Sequence, residues 1–132
     1  MTTSPRPCPK HCSALLLLLA AGQVNAQSVD IKWGSDQRFA RTVQVKPSQP
    51  YEFCKSLTAG QTLLWSFESS QVLSYTVYSV ESAGKTPLGP PASGWKSSGK
   101  VGKPAGEARY CWSWTNTSTK SIELAFDIKL AP

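Results

Sequence analysis

The last quarter of the chain restricts the fold more than any other stretch. From Ile122 to Leu130 an apolar residue stands at every even position: Ile122, Leu124, Phe126, Ile128 and Leu130. Glu123, Ala125, Asp127 and Lys129 fill the odd positions. Successive side chains of an extended chain point to opposite faces, so this pattern belongs to a strand with one face buried and one in water. Just upstream, Tyr110, Trp112 and Trp114 share one parity while Cys111, Ser113 and Thr115 share the other. Between the two halves sit Asn116, Thr117, Ser118 and Thr119, whose short polar side chains bond to nearby backbone and favour turns. The expected unit is an antiparallel hairpin with an aromatic inner face.

The rest of the chain follows the same grammar. Val29, Ile31 and Trp33 alternate, then Phe39, Val43 and Val45 share a parity. Pro47 and Pro50 bracket a turn, because proline donates no ladder hydrogen bond. Tyr51 and Phe53 begin a short strand, and Leu63, Trp65 and Phe67 give another buried triplet after Ala59-Gly60. Between Gln71 and Val80, Leu73, Tyr75 and Val77 compete with Val72, Tyr78 and Val80 for the core, and the first set is favoured. Short strands separated by turn signals, with no helical period, predict an all-β fold. The expectation is an antiparallel β-sandwich of about seven or eight strands, of jelly-roll type.

One stretch departs from the pattern. Gly84–Gly106 carries six glycines, four prolines and four lysines, and no acid. Glycine loses much entropy on ordering and proline cannot join a central ladder, so a long loop is expected, with at most a weak edge strand around Trp95 to Val101. Long loops in small domains usually serve a function or are disordered. Trp95 stands there among Lys85, Lys96, Lys100 and Lys103, and these five are the candidate partner-binding residues. An aromatic anchor with surrounding cations suits an acidic protein partner.

The N-terminus reads as a targeting segment. Arg6 and Lys10 precede a Leu/Ala run from Ala14, and Val24-Asn25-Ala26 offers small residues for cleavage. That layout predicts a signal peptide over residues 1–26, an apolar run too short to span a bilayer, and an exported domain over 27–132 in the periplasm or outside the cell. Losing Arg6 and Lys10 lowers the formal charge from +6 to +4. The remaining cations are scattered, whereas a nucleic-acid binder concentrates them. Of the four cysteines, Cys54 and Cys111 remain after cleavage. A pair of cysteines in an exported domain predicts a disulfide, with two free thiols as the alternative. Their parity places that bridge on the outer side of a sheet, away from the aromatic face.

Catalytic chemistry has few candidates. His11, the only histidine, lies in the leader, so the domain lacks the commonest general base and metal ligand. No cofactor and no metal are expected. The best carboxylate pair, Glu123 and Asp127, lies on the polar side of a regular strand. Asn116-Thr117-Ser118 also matches a glycosylation acceptor.

Two patterned regions resemble a known family. Thr58-Ala59-Gly60-Gln61-Thr62-Leu63-Leu64-Trp65-Ser66-Phe67 resembles the Ala-Gly…Trp-x-Phe strand of GOLD (Golgi dynamics) domains. Tyr110, Trp114 and Asn116 are spaced as in that family's Tyr-x-x-x-Trp-x-Asn signature. The resemblance implies a β-sandwich used for protein–protein contacts, with a disulfide linking an early strand to the signature strand. The turn from Asn116 to Lys120 is shorter than in the family, and Cys111 stands two residues before the position its receptors use. The function expected from the sequence is a non-enzymatic, exported protein-binding module. The alternatives are a cell-envelope carbohydrate-binding domain and an inhibitor of a secreted hydrolase.

Overall fold

In the computed structural model, which describes residues 26–102 and 104–132, eight strands follow one another. They are β1 (Gln27–Asp30), β2 (Arg38–Val45), β3 (Tyr51–Leu57), β4 (Thr62–Glu81), β5 (Gly84–Pro87), β6 (Ala92–Gly102), β7 (Ala108–Thr115) and β8 (Ile122–Leu130). The segment predicted as a signal peptide lies, but for Ala26, outside the described residues. Among the described residues no helix is long and apolar enough to cross a membrane.

The 20-residue β4 belongs to both halves of the molecule. Its first part, from Thr62 to Ser69, lies between β8 and β6. Its second part, from Leu73 to Glu81, lies between β7 on one side and β6 then β5 on the other. The register against β6 slips between Glu68 and Leu73, so that Ser69 to Val72 stand opposite Trp95 alone. Extra residues on one strand bend it, and bent strands form the corners at which a sheet passes from one layer to the other. One layer is therefore β2–β8–β4–β6 and the other β1–β3–β7–β4–β5. Their inner faces meet in one core. Phe53 of β3 stacks on Phe126 of β8 with ring centres 5.1 Å apart, although the two strands are not neighbours in the sheet.

Two expectations about pairing are corrected. The C-terminal quarter is not a hairpin: β7 pairs with β3 and β4, and β8 pairs with β4 and β2. Trp114 and Phe126 meet at 5.0 Å across the core instead of lying side by side on one sheet. Facing each other, the two aromatic strips shield both from water, which is the larger burial. The sandwich is also not wholly antiparallel, because β1 pairs with β3 in parallel. The chain leaves β1, crosses to the other layer as β2 and returns as β3, and two reversals restore its direction.

Gly84–Gly106 is not a loop but mostly strand, since β5 and β6 both pair with β4. Its prolines stand where they do little harm: Pro87 ends β5, and Pro90 and Pro91 form the connection to β6. Gly99 is required by its neighbour. It pairs with Trp65, and a Cβ there would sit 2.8 Å from the indole ring. The tryptophan supplies the volume that the glycine lacks.

Cys54 and Cys111 face each other on β3 and β7 and are disulfide-bonded. They form a small cluster with Tyr78, separate from the main core and on the outer side of the layer. The turn after β7 is held by Asn116, which is fully buried. Its amide nitrogen donates to Val45 O at 2.8 Å and Lys120 O at 2.6 Å, while its Oδ1 accepts from Ser118 N and Ser118 Oγ. With both amide hydrogens engaged inside the protein, the Asn116-Thr117-Ser118 triplet is closed to glycosylation in the folded domain.

Candidate functional site

β6 runs beside both parts of β4, and from Lys96 onward its residues alternate between the two faces. Ser97, Gly99 and Val101 pair with Phe67, Trp65 and Leu63 on the inner face, which leaves Lys96, Ser98 and Lys100 outside. Trp95 stands at the corner, opposite the bulge. Its carbonyl lies 3.2 Å from Ser69 Oγ, whose residue is buried, so the backbone is anchored. Its ring is 49% exposed, and Lys96 Nζ sits 4.9 Å above it. Val72, within the same bulge, is 57% exposed. The corner thus presents an apolar surface on a fixed backbone, with the order that a binding anchor requires.

Lys85 lies elsewhere, on the outer face of the β3/β7 layer. Its Nζ is 4.7 Å from the centre of the Tyr78 ring and 4.0 Å from Glu52 Oε2. The Tyr78 hydroxyl donates to the same carboxylate oxygen at 2.5 Å. Burial first, and then the bond to Glu52, push the Tyr78 pKa well above the usual phenol value. Tyr78 lies against the disulfide, and the group links β5 to β3 across β4 and β7, so Lys85 stands with Glu52 and Tyr78 and away from Trp95. Glu52, Cys54 and Cys111 also gather potential metal-ligand atoms within 4.8 Å. Both sulfurs are held in the disulfide and present no thiolate, so the trio does not make a metal site. At the edge of this face Arg109 donates to Asp30 at 2.7 Å, and that bond, then the guanidinium charge, lowers the Asp30 pKa.

Lys100 points out from the opposite layer, in register with Leu64. Lys103 lies outside the described residues. The five candidates from the sequence therefore do not form one cluster. Among the four that are described, only Trp95 and Lys96 stand together; Lys85 and Lys100 belong to different faces. Sequence reasoning also passed over Arg38, which comes from β2 to pair with Asp127 on β8. The visible signal was an arginine with the parity opposite to Phe39, Val43 and Val45.

The carboxylates of Glu123 and Asp127 are not placed for joint catalysis. Four residues of a strand separate them by about 13 Å, beyond the roughly 5–10 Å that paired glycosidase carboxylates need. Asp127 is moreover held by Arg38.

No family model matches the sequence, and no curated protein matches it. Solved structures do match. PliG of Aeromonas hydrophila, a periplasmic lysozyme inhibitor of g-type lysozyme, overlaps with a TM-score of 0.61 at 10% identity. The match covers 82% of this chain and all of that one, and it establishes a shared fold. A PliG mutant from Escherichia coli matches at a TM-score of 0.45 and 10% identity, over 80% of this chain and 99% of that one.

Proposed function

We propose that this chain is an exported, non-catalytic domain that binds a protein, and that its partner is a secreted hydrolase of the lysozyme type, which it inhibits. The overlap with the Aeromonas inhibitor, over the whole length of that protein, carries the reading. A fold alone does not determine function, so the residues must supply a contact. Trp95 supplies one: a half-exposed indole on an anchored backbone, beside the exposed Val72 and under the Lys96 ammonium. The GOLD-like signature leads to the same class of activity. In the structure its Trp65, Phe67, Tyr110, Trp114 and Asn116 are core and turn residues, so they support the scaffold and not the contact.

Inhibition needs no chemistry from the inhibitor. It needs a surface that fills the enzyme's cleft, and a lysozyme cleft carries catalytic carboxylates to which cations are complementary. The +4 charge left after leader removal favours a target with an acidic face over a strongly basic one.

The test is to purify the exported protein and titrate it into a panel of lysozymes, g-type included, following clearance of a peptidoglycan suspension and complex formation by gel filtration. Stoichiometric inhibition, lost in a Trp95→Ala variant of unchanged melting temperature, supports the proposal. Absence of both inhibition and complex across the panel at tens of micromolar overturns it. Quenching of tryptophan fluorescence by neutral glycans, abolished by Trp95→Ala, would instead establish the carbohydrate-binding alternative.

A further inference from the structure

The register of the β2/β8 layer brings together residues that are scattered in the sequence. Arg38 is opposite Lys129, Lys129 is opposite Leu64, and Leu64 is opposite Lys100. These four residues form one row across β2, β8, β4 and β6. Neighbouring strands lie about 4.8 Å apart, so three cations fall within roughly 15 Å. Like charges directly opposite one another destabilise a sheet, and Arg38 faces Lys129 in this way.

Only one of the three is neutralised. The single Nε–H of Arg38 is shared between the two Asp127 carboxylate oxygens, each 3.1 Å away, and Nη2 pairs with the same carboxylate. That bond, and then the carboxylate charge, hold the Arg38 pKa up. Among the described residues no carboxylate lies within ion-pair distance of Lys129 or Lys100. Asp127 itself stands two residues from Lys129 on the same face, about 7 Å along β8, with its oxygens bonded to Arg38. Asp36 adds its charge near Arg38. Beyond these, the next acids on the face are Glu68, four residues past Leu64, and Glu123, six residues from Lys129. Those separations are about 13 and 20 Å, both greater than the screening length of about 8 Å at physiological salt.

Leu64 is an apolar residue at an outward position in the middle of this row, half-buried between the two free ammonium groups. A depression of about 270 Å³ is lined by Arg38, Leu64, Trp65, Ser66, Asp127 and Lys129. The next row is Ala40, Asp127, Ser66 and Ser98: its carboxylate is turned to Arg38, and the small Ser66 and Ser98 leave the β4/β6 side open. An apolar floor between two ammonium groups matches the methylenes and carboxylate of a glutamate or aspartate side chain.

We propose that Lys129, Leu64 and Lys100 form a carboxylate-binding strip that docks an acidic surface of the protein partner. The strip rests on the reading of this chain as a protein binder, and it identifies the charge of the partner's surface. Lys100 and Trp95 are five residues apart on β6, about 17 Å, a span that one interface of ordinary size covers. Trp95 would anchor one end of that interface and the strip would steer the other.

The experiment needs no hydrolase, so its failure is separable from failure of the inhibitor reading. A glutamate-rich peptide is titrated into the ¹⁵N-labelled exported protein while backbone amide shifts are followed. The expected shifts gather on Leu64, Lys100 and Lys129 and shrink as salt is raised. A Lys100→Ser, Lys129→Ser double variant of unchanged melting temperature should bind the peptide about tenfold more weakly, whereas Trp95→Ala should bind it as the parent does. Shifts that map elsewhere, or a double variant that binds equally well, overturn the strip. Heparin binding at the same residues at least tenfold tighter than the peptide would overturn the assignment to a protein carboxylate.

Discussion

Replacing Asn116 is the sharpest test of how this sandwich holds together. The side chain is inaccessible to solvent and uses its full hydrogen-bonding capacity, two donors and two lone pairs. In Asn116→Ala all four bonds disappear. Lys120 O keeps a partner, since Ser118 Oγ also reaches it at 2.9 Å, but Val45 O loses the buried amide that faces it. Four hydrogen bonds at about 1 kcal/mol each, lost from a fully buried site, give a loss of roughly 3–5 kcal/mol. That is a large part of the 5–15 kcal/mol typical of a domain and should lower the melting temperature by well over 10 °C. Urea unfolding followed by tryptophan fluorescence measures it directly, because Trp112 and Trp114 are buried just before the turn. Asn116→Asp should behave differently with pH. A carboxylate there would face two carbonyl oxygens without water, so its folded pKa would rise above its unfolded value. Stability of that variant should therefore be greatest below the unfolded pKa and fall as pH rises. A change under 1 kcal/mol in Asn116→Ala, or an acid-insensitive Asn116→Asp, would refute this account of the turn.

Reduction of the Cys54–Cys111 bridge, which closes a separation of 57 residues, should cost about 4 kcal/mol if unfolded-chain entropy dominates. A melting temperature unchanged by reduction would contradict that. Trp114→Ala should cost roughly 3–5 kcal/mol, because the ring packs against Phe53, Phe67 and Phe126. Trp114→Phe should cost clearly less, since the indole nitrogen it removes is buried without a hydrogen-bond partner; equal losses in the two variants would show that the nitrogen matters. Gly99→Val should destabilise by about 1–3 kcal/mol by forcing Trp65 off its seat, and calorimetry showing no loss would mean the ring moves freely.

The faces of the strands were legible in the sequence, and their partners were not. Period two tells which side of a strand is buried, and Leu124, Phe126, Trp112 and Trp114 are all in the core as their parity requires. It does not tell which strand lies alongside. A hairpin and a pair of facing strands both bury Trp114 and Phe126, and only the long β4, available on both edges, separates β7 from β8. β6 was hidden for a related reason. Its inner positions, Ser97 and Gly99, carry almost no apolar bulk, because Phe67 and Trp65 on the adjoining strand fill that part of the core. Composition then suggested a loop where pairing makes a strand.

The same reasoning explains why the candidate site was only partly legible. Four lysines close together in sequence around Trp95 suggested one basic loop, yet a strand sends alternate residues to opposite faces and a sheet separates its edges. Lys85 goes to the face over the disulfide, and Lys100 to the face where Lys129 and Arg38 arrive from β8 and β2. Those partners lie far along the chain from Lys100, so no local window of sequence contains the row. Its charge is a product of register. A slip of one residue in β8 would turn Lys129 inward and Ile128 outward, moving the whole apolar strip of β8 into water with it. The burial of Ile122, Leu124, Phe126 and Ile128 that holds the register thus also holds the cations in line, and stability and the shape of the proposed binding face depend on the same pairing.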